Sequence, residues 1–357
     1  MNSKERVRTS FSHQEPDRVP VNYSANPGID QRLKAHFGLS AADDEGLLEV
    51  LGVDFRGINP PYIGPQLHPD VPDRRVDIWG IHTRWVEHGH GGGYWDFCDF
   101  PLKHATLEEV KAWKMPSPDD FDYSLVPALC EKYQDYCIYT GGGGTCDIMN
   151  STTMIRSMEQ TLVDLIEDNP VGLTYIDRRL EIQLEIVKRT LEAARGKIDM
   201  LWLGEDLGSQ RGPLISMDLF RKHIRPRHQK FIDLAKQYNL MVIFHSCGSS
   251  SWAFDELIEM GVDIVDTLQP EAKNMSPEYL KRRFGEKLSF HGCISTAGVI
   301  AHGTVDDTIK NVRETLDIMM PGGGFAIAPT HMLQDNTPTE NVVAMYETIR
   351  KFGSYRS

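Results

Sequence analysis

From about residue 199 the chain alternates short apolar runs with longer amphipathic stretches. The apolar runs predict buried strands at 200–204, 240–244, 262–265, 288–290 and 325–328. The amphipathic stretches between them predict helices at 216–238, 251–260, 276–284, 304–320 and 338–352. Gly261 and Gly285 stand where two of these helices should end, and Ser276-Pro277 stands where one should begin. This alternation is typical of right-handed βαβ units around a parallel sheet that is buried on both faces.

The first half of the chain follows this pattern less regularly. Strand candidates are found at 19–23, 51–55 and 136–139, and residues 161–195 predict two helices interrupted near Asn169-Pro170. Residues 57–103 are rich in Gly, Pro, His and Asp and are predicted as an excursion from the sheet. No linker separates two domains, and neither a Rossmann glycine pattern nor a P-loop is present. The sequence therefore predicts one domain over residues 1–357, a single (β/α)₈ TIM barrel with an inserted loop region in its N-terminal half.

Charge and composition exclude several classes of function. The chain has 38 Lys and Arg against 51 Asp and Glu, and its net charge of −13 argues against nucleic acid or an anionic membrane as the main partner. No apolar run approaches the roughly 18 residues that a membrane span needs, and residues 1–6 lack the apolar core of a signal peptide. A cytoplasmic location is therefore expected. In that compartment the six cysteines do not suggest a disulfide framework.

The strand predicted at 240–244 leads into Phe244-His245-Ser246-Cys247-Gly248. Side chains two residues apart on a strand point the same way, so His245 and Cys247 should lie on one side of the backbone. Imidazole and thiolate are ligands that zinc prefers, and the C-terminal ends of barrel strands carry the active site in this fold. A catalytic zinc site is the favoured interpretation. A Cys–His pair for covalent catalysis and a buried histidine beside an inert cysteine are the alternatives.

Other predicted strand ends bring further polar residues to the same mouth. Glu205 and Asp206 follow the strand at 200–204 and are candidates for proton transfer or metal ligation, although one could cap a turn and the other face solvent. His331 follows the last strand and is placed to converge on the metal pair, with a surface-loop histidine as the alternative. The glycine run at 141–144 is predicted as a flexible turn rather than a ligand cradle. Substrate contacts are predicted at Asn22, Tyr23, Gln210, Gln269 and Cys293.

Six segments, taken in order and spacing, resemble the uroporphyrinogen decarboxylase superfamily, and within it the zinc-dependent corrinoid methyltransferase branch. They lie at 4–7, 13–20, 204–210, 244–248, 322–325 and 340–346. The resemblance covers nearly the whole chain and implies a (β/α)₈ barrel. Decarboxylases of the superfamily carry an arginine-rich segment near the N-terminus that pairs with the carboxylates of the porphyrinogen. Residues 21–37 lack such a segment, and Arg32 alone could not neutralise many carboxylates, so porphyrinogen decarboxylation is not expected.

In the methyltransferase branch, a His-x-Cys pair binds zinc together with a cysteine near the last strand. Carried over to this chain, the pair is His245 and Cys247, whereas Thr330-His331 stands where the third ligand is expected. The resemblance therefore implies His331 as the third ligand, with Cys293 as a second possibility. At the third ligand, therefore, this chain departs from the family pattern.

The function implied by the resemblance is methyl transfer between a small O- or S-methyl compound, or a thiol, and a corrinoid carried by a partner protein. Zinc would activate the heteroatom, and Glu205 or Asp206 would protonate the leaving group or support a zinc-binding histidine. The alternatives are a decarboxylase or other metal-dependent lyase acting on a small carboxylated substrate, and a catalytically silent ligand-binding barrel. Relatives with this barrel often dimerise, so a homodimer is among the expected assemblies.

Overall fold

The computed structural model of the chain describes residues 1–88 and 92–355. Its central sheet has seven parallel strands in the order β1-β5-β6-β7-β8-β9-β10. These are β1 (Phe55–Gly57), β5 (Cys137–Gly141), β6 (Met200–Gly204), β7 (Met241–Ser246), β8 (Ile264–Thr267), β9 (Ser289–Ile294) and β10 (Phe325–Pro329). Each strand from β5 to β10 pairs with its neighbour in the sequence, as right-handed strand–helix–strand units require.

The segment around Val21 joins the two outer strands of this sheet. Val21 forms a parallel bridge with Ile327 of β10, and its carbonyl oxygen accepts the Asp54 N–H, just before β1, at 2.9 Å. It therefore occupies the eighth position, and the fold is the predicted (β/α)₈ barrel. The strand candidate at 19–23 is confirmed as this closing segment. Its bridge is short, since proline at position 20 removes one ladder donor.

Helices surround the barrel and cover its strands. They are α1 (Ser3–Phe11), α2 (Pro27–His36), α3 (Asp44–Leu51), α4 (Leu107–Ala112), α5 (Val126–Lys132), α6 (Met149–Arg156), α7 (Met158–Ile166), α8 (Pro170–Ala194), α9 (Met217–Leu219), α10 (Arg225–Gln237), α11 (Phe254–Met260), α12 (Pro277–Phe284), α13 (Val299–His302), α14 (Val305–Met319) and α15 (Thr339–Phe352). In the part of the chain that the structure describes, no helix is both long enough and apolar enough to cross a bilayer.

The helix predicted at 216–238 is interrupted by a widened turn at Phe220–Ile224, between α9 and α10. Pro226, in the first turn of α10, has no N–H to donate to the carbonyl of Lys222, which explains why regular α-helical bonding fails there. The helix break near Asn169-Pro170 is confirmed between α7 and α8. The strand candidate at 51–55 is mostly wrong, because α3 continues to Leu51 and β1 begins only at Phe55.

The excursion predicted at 57–103 contains regular structure, so describing it as loop was wrong. It carries a three-stranded antiparallel sheet of β2 (Arg75–Val76), β3 (His82–His88) and β4 (Gly92–Cys98). Trp85 lies opposite Trp95 with ring centroids 5.6 Å apart, a cross-strand aromatic pair that stabilises the β3–β4 ribbon. Residues 89–91 of the excursion lie outside the described residues.

Candidate active site

A cavity of about 530 Å³ opens at the C-terminal ends of the barrel strands. Tyr139, Trp202, His245 and His291 line it from β5, β6, β7 and β9, and Ala328 lines it from β10. The convergence follows from the fold, since parallel strands present their carboxyl ends, and the loops after them, at one face of the barrel. This cavity lies at the end of the barrel where the sequence predicts the active site.

His245 is held with one ring nitrogen committed to the protein and the other facing the cavity. Its Nδ1 lies 2.6 Å from the Asp266 carboxylate and 2.8 Å from the Thr267 hydroxyl. Its Nε2 lies 3.4 Å from the Cys247 sulfur. Burial alone would lower the pKa of His245, but the hydrogen bonds to Asp266 and Cys247 raise it well above its ordinary value. The imidazole is thus oriented as a metal-binding histidine is, with a carboxylate behind it.

Asp206 completes a cluster with the histidine and cysteine. One of its oxygens accepts the Cys247 N–H at 2.8 Å, and the other accepts the Asn150 side-chain amide at 2.9 Å. The potential ligand atoms of Asp206, His245 and Cys247 all lie within 4.8 Å of one another. Carboxylate, imidazole and thiolate together suit zinc, and three protein ligands leave a position open for substrate. The donor set therefore fits the metal that the sequence predicts.

His331 lies at the mouth of the same cavity but outside this cluster. Its ring centroid is 6.4 Å from that of His245, and its side chain is exposed. Among the described residues, the carboxylate of Asp206 is the group that joins the histidine–cysteine pair at ligand distance. In the structure, therefore, Asp206, predicted as a catalytic residue, lies at ligand distance from the pair, and His331, predicted as the third ligand, is not part of this cluster.

Asp266 and His291, which sequence reasoning did not select, form the base of the site. Asp266 accepts from Nδ1 of His245 with one oxygen and from Nδ1 of His291 with the other, at 2.5 Å. Burial alone would raise the pKa of Asp266, but the two imidazoles hold it well below its usual range. The available signal was the position of Asp266 at the end of a predicted strand; the prediction instead selected the neighbouring Gln269.

A second His-x-Cys sequence, His291-Gly292-Cys293, lies on β9, but it does not bring its cysteine to the cavity. Gly292 has φ +119° and Cys293 has φ +77°, and such a backbone breaks the alternation that would point both side chains inward. Cys293 packs in the apolar core, where burial raises the pKa of its thiol, and it does not line the cavity. Cys293 was predicted as a substrate contact and as an alternative third ligand, and the structure does not bring it to the site.

Glu205 lies behind the cavity wall and is fully buried. Its carboxyl group accepts the N–H groups of Ile148 and Met149, at 2.9 and 2.7 Å, where α6 begins. The His228 Nε2 lies 3.1 Å away. Burial raises the pKa of Glu205 to about 8 and lowers that of His228 to about 3, so the pair is neutral at intermediate pH. This placement favours a role in positioning α6, which carries Asn150, over the predicted proton transfer.

The other predicted substrate contacts divide between the cavity and its surroundings. Asn22 and Tyr23 line the cavity. Gln269 accepts the Gly248 N–H at 2.6 Å and so holds the turn after the histidine–cysteine pair. Gln210 is exposed and does not line the cavity. Two of these four residues therefore lie where a substrate could touch them.

The glycine run at 141–144 lines the cavity and approaches the candidate ligand histidine. A Cβ on Gly143 would lie 3.3 Å from the ring of His245, whereas a Cβ on Gly144 would meet nothing within 4 Å. A Cβ on Gly204 would overlap the carbonyl oxygen of Gly143 at 1.9 Å. Gly143 is therefore packed between β6 and the histidine, where a side chain would crowd the site, whereas Gly144 has open space beside it.

The chain is thus a (β/α)₈ barrel with a carboxylate–imidazole–thiolate cluster at the C-terminal ends of its strands. This fold and cluster place it in the class of barrel proteins with a candidate catalytic metal site. The family comparison is more specific: residues 105–352 match the uroporphyrinogen decarboxylase (URO-D) family. This match spans more than half of the chain, and the chain belongs to that family. The predicted superfamily is thereby confirmed. No curated protein matches the sequence significantly.

A solved structure shows the same fold. A methyltransferase from Methanosarcina mazei aligns with a TM-score of 0.65 and 17% identity, over 99% of each chain. A D-psicose 3-epimerase aligns with a TM-score of 0.37 and 10% identity, over 66% of this chain and 83% of that chain. At 17% identity the likeness to the methyltransferase establishes shared architecture, and function has to be argued from the site.

Proposed function

We propose that this protein is a zinc-dependent methyltransferase that moves a methyl group between a small O- or S-methyl compound, or a thiol, and a corrinoid carried by a partner protein. The observation that carries the proposal is the cluster of Asp206, His245 and Cys247 at ligand distance beside a substrate-sized cavity. Membership of the URO-D family and the architecture shared with a methyltransferase are consistent with it. The corrinoid partner comes from the sequence resemblance.

The residues around the cluster have separable tasks in this proposal. Zinc held by Asp206, His245 and Cys247 would supply a Lewis acid for the heteroatom of the substrate. Asp266 keeps the His245 lone pair directed at the cluster by accepting its Nδ1–H. Asn150 fixes the Asp206 carboxylate, and the Cys247 N–H fixes its other oxygen. The chain thus holds the three donors in place before any metal or substrate arrives.

The lining of the cavity favours an uncharged methyl compound over a carboxylated substrate. No lysine or arginine is found among the described residues that line it, so a substrate carboxylate outside reach of the metal would have no lysine or arginine to pair with. Tyr139 and Trp202 form an aromatic wall, with ring centroids 5.0 Å apart in an edge-to-face arrangement. Burial and the nearby Glu205 raise the pKa of Asp147, another wall residue, well above its ordinary value. These features weigh against the decarboxylase alternative.

The test begins with the metal content of protein purified without chelator. We expect about one zinc per chain, and Asp206→Ala and Cys247→Ala should weaken zinc binding by at least about 100-fold. The matched control is His331→Gln, which alters a histidine of the same cavity outside the cluster and should keep its zinc. Wild-type protein without stoichiometric zinc would overturn the proposal. Zinc lost in His331→Gln but kept in Asp206→Ala would restore His331 as the third ligand.

Methyl transfer itself is tested with cob(I)alamin, whose methylation changes its visible spectrum. The substrates are uncharged methoxy and methylthio compounds, each paired with an analogue that carries a carboxylate. We expect methylation with members of the uncharged set and little with their carboxylated partners. Loss of a carboxylate as carbon dioxide, with no methylation of cobalamin by any donor, would instead support the decarboxylase alternative.

A further inference from the structure

His291 makes hydrogen bonds through both ring nitrogens to groups outside the candidate ligand set. Its Nδ1 lies 2.5 Å from Asp266, and its Nε2 lies 3.0 Å from the side-chain amide nitrogen of Asn22. All three side chains are buried, with 3% of His291, 7% of Asp266 and 8% of Asn22 exposed. Water therefore competes weakly for these bonds, and the strength of each depends on the others.

The orientation of the Asn22 amide determines where the His291 proton lies. The Asn22 oxygen accepts the N–H of Tyr23 at 2.9 Å, so its nitrogen is the atom that faces the imidazole. That nitrogen can only donate, and His291 Nε2 must therefore accept. The proton of a neutral His291 is consequently on Nδ1, where it is donated to Asp266.

The other carboxylate oxygen of Asp266 connects this hydrogen-bonded chain to the candidate ligand His245. It accepts from Nδ1 of His245 at 2.6 Å, which leaves the lone pair of Nε2 directed toward Cys247. Strand register explains the alignment: His245 pairs with Asp266 across β7 and β8, and Asp266 pairs with His291 across β8 and β9. The three side chains thus lie at one level of the barrel.

We infer that Asn22 and His291 are positioning residues that orient His245 through Asp266 and thereby set the affinity of the cluster for a divalent metal. This inference rests on the proposed zinc site, and it assigns His291 no direct step in the chemistry. Although His291 lines the cavity, both its nitrogens are already engaged, so it has none left for a substrate. Rings of Trp202 and Phe55, edge-on at 5.1 and 5.6 Å, further fix its plane.

Two substitutions at His291 separate hydrogen bonding from packing. His291→Phe keeps an aromatic ring against Trp202 and Phe55 but removes the donor to Asp266. His291→Asn places an amide nitrogen near the position of Nδ1, which can keep that donor, but it loses the ring. If hydrogen bonding positions His245, Phe should weaken metal binding by about 10- to 100-fold and Asn by much less. A packing role predicts the reverse order of the two variants.

Affinity is measured on the intact chain by competition with a chelator for Zn²⁺, and geometry by the visible spectrum of the Co²⁺-substituted protein. His331→Phe is the matched control, since it makes the same change in the same cavity without touching Asp266. Asn22→Leu tests the outer link without altering β9, and it should weaken metal binding by several-fold. Unchanged affinity in both His291→Phe and Asn22→Leu would overturn the inference, as would a greater loss in His291→Asn than in His291→Phe. Wild-type protein that binds no zinc would instead overturn the proposed function.

Discussion

Replacing Glu205 with glutamine asks whether this residue transfers protons or holds the site together. In the structure one oxygen accepts the Met149 N–H, and the other lies between the Ile148 N–H and the His228 imidazole. Because burial raises the pKa of Glu205 to about 8, its carboxyl group carries a proton below that pH and can donate it to His228. Glutamine can reproduce the bonds to Met149 and His228, but its NH₂ group would face the Ile148 N–H.

The expected cost follows from that one lost acceptor. Leaving a buried N–H without a partner costs about 1–3 kcal/mol. With an unfolding entropy of about 2.1 cal/mol/K per residue, a chain of 357 residues loses about 1.3 °C in Tm for each kcal/mol. Glu205→Gln should therefore lower Tm by about 1–4 °C near pH 5, relative to wild type. Glu205→Ala should cost more, because it leaves both N–H groups unpaired and creates a cavity.

The difference between wild type and Glu205→Gln should depend on pH. The folded-state pKa of Glu205 is raised from 4.5 to about 8, so its contribution to the free energy of unfolding is fully present below pH 4.5 and is lost as pH rises toward 8. Glutamine has no such titration. Starting from about 1–3 kcal/mol near pH 5, the stability difference should fall by about 1.4 kcal/mol per pH unit and change sign within about two pH units, above which the glutamine variant is the more stable protein.

Thermal unfolding of the metal-free proteins measures this difference, with Glu286→Gln, a change at an exposed glutamate, as the control. Zinc content and methyl transfer are then measured after the same preparations have been loaded with zinc. Positioning predicts a Tm that is lower near pH 5, together with methyl transfer reduced no more than the occupancy of the site. A variant with wild-type Tm and full zinc content but no methyl transfer would refute this reasoning and return Glu205 to proton transfer.

Two further predictions concern side chains close to the candidate ligands. Gly143→Ala should weaken Zn²⁺ binding by about tenfold in chelator competition, because its Cβ would press on the His245 ring. Gly144→Ala, whose Cβ meets open space, is the control and should bind Zn²⁺ as the wild type does. Equal affinities of the two variants would contradict this packing. Cys293→Ser should lower the free energy of unfolding by about 1–3 kcal/mol in a denaturant titration without changing zinc content, because its side chain is buried outside the cavity. Zinc lost from the folded serine variant would make Cys293 a ligand after all.

The parallel half of the fold could be predicted because its signals are local. Each strand from β6 to β10 is a short apolar run that helices cover, and such runs stand out against the amphipathic segments between them. The β3–β4 ribbon was missed because it lies outside the barrel, where its residues are partly exposed and mixed in polarity. Trp85 and Trp95 stabilise it through a cross-strand contact, and composition read along the chain does not reveal such pairing.

The candidate site also has one part that local sequence predicts and another part that depends on tertiary contacts. His245 and Cys247 are two residues apart on one strand, so their common direction follows from local geometry. The third donor depends on distances between separate loops, which the sequence does not give; it led to His331, with Cys293 as the second possibility, whereas Asp206 is the residue at ligand distance. Asp266 was visible at a strand end, but its two imidazole partners belong to neighbouring strands, and their register emerges only when the sheet forms.

The two His-x-Cys sequences show why a motif cannot be separated from its backbone. On β7 both side chains reach the cavity, whereas on β9 only His291 does. The difference arises at Gly292, whose positive φ is accompanied by a close approach: a Cβ there would lie 2.5 Å from the carbonyl oxygen of Thr267. Packing between β8 and β9 thus requires glycine at this position, and the same distortion turns Cys293 away. The cavity therefore receives a cysteine for the candidate ligand cluster from the residue after β7, and a histidine that supports Asp266 from β9.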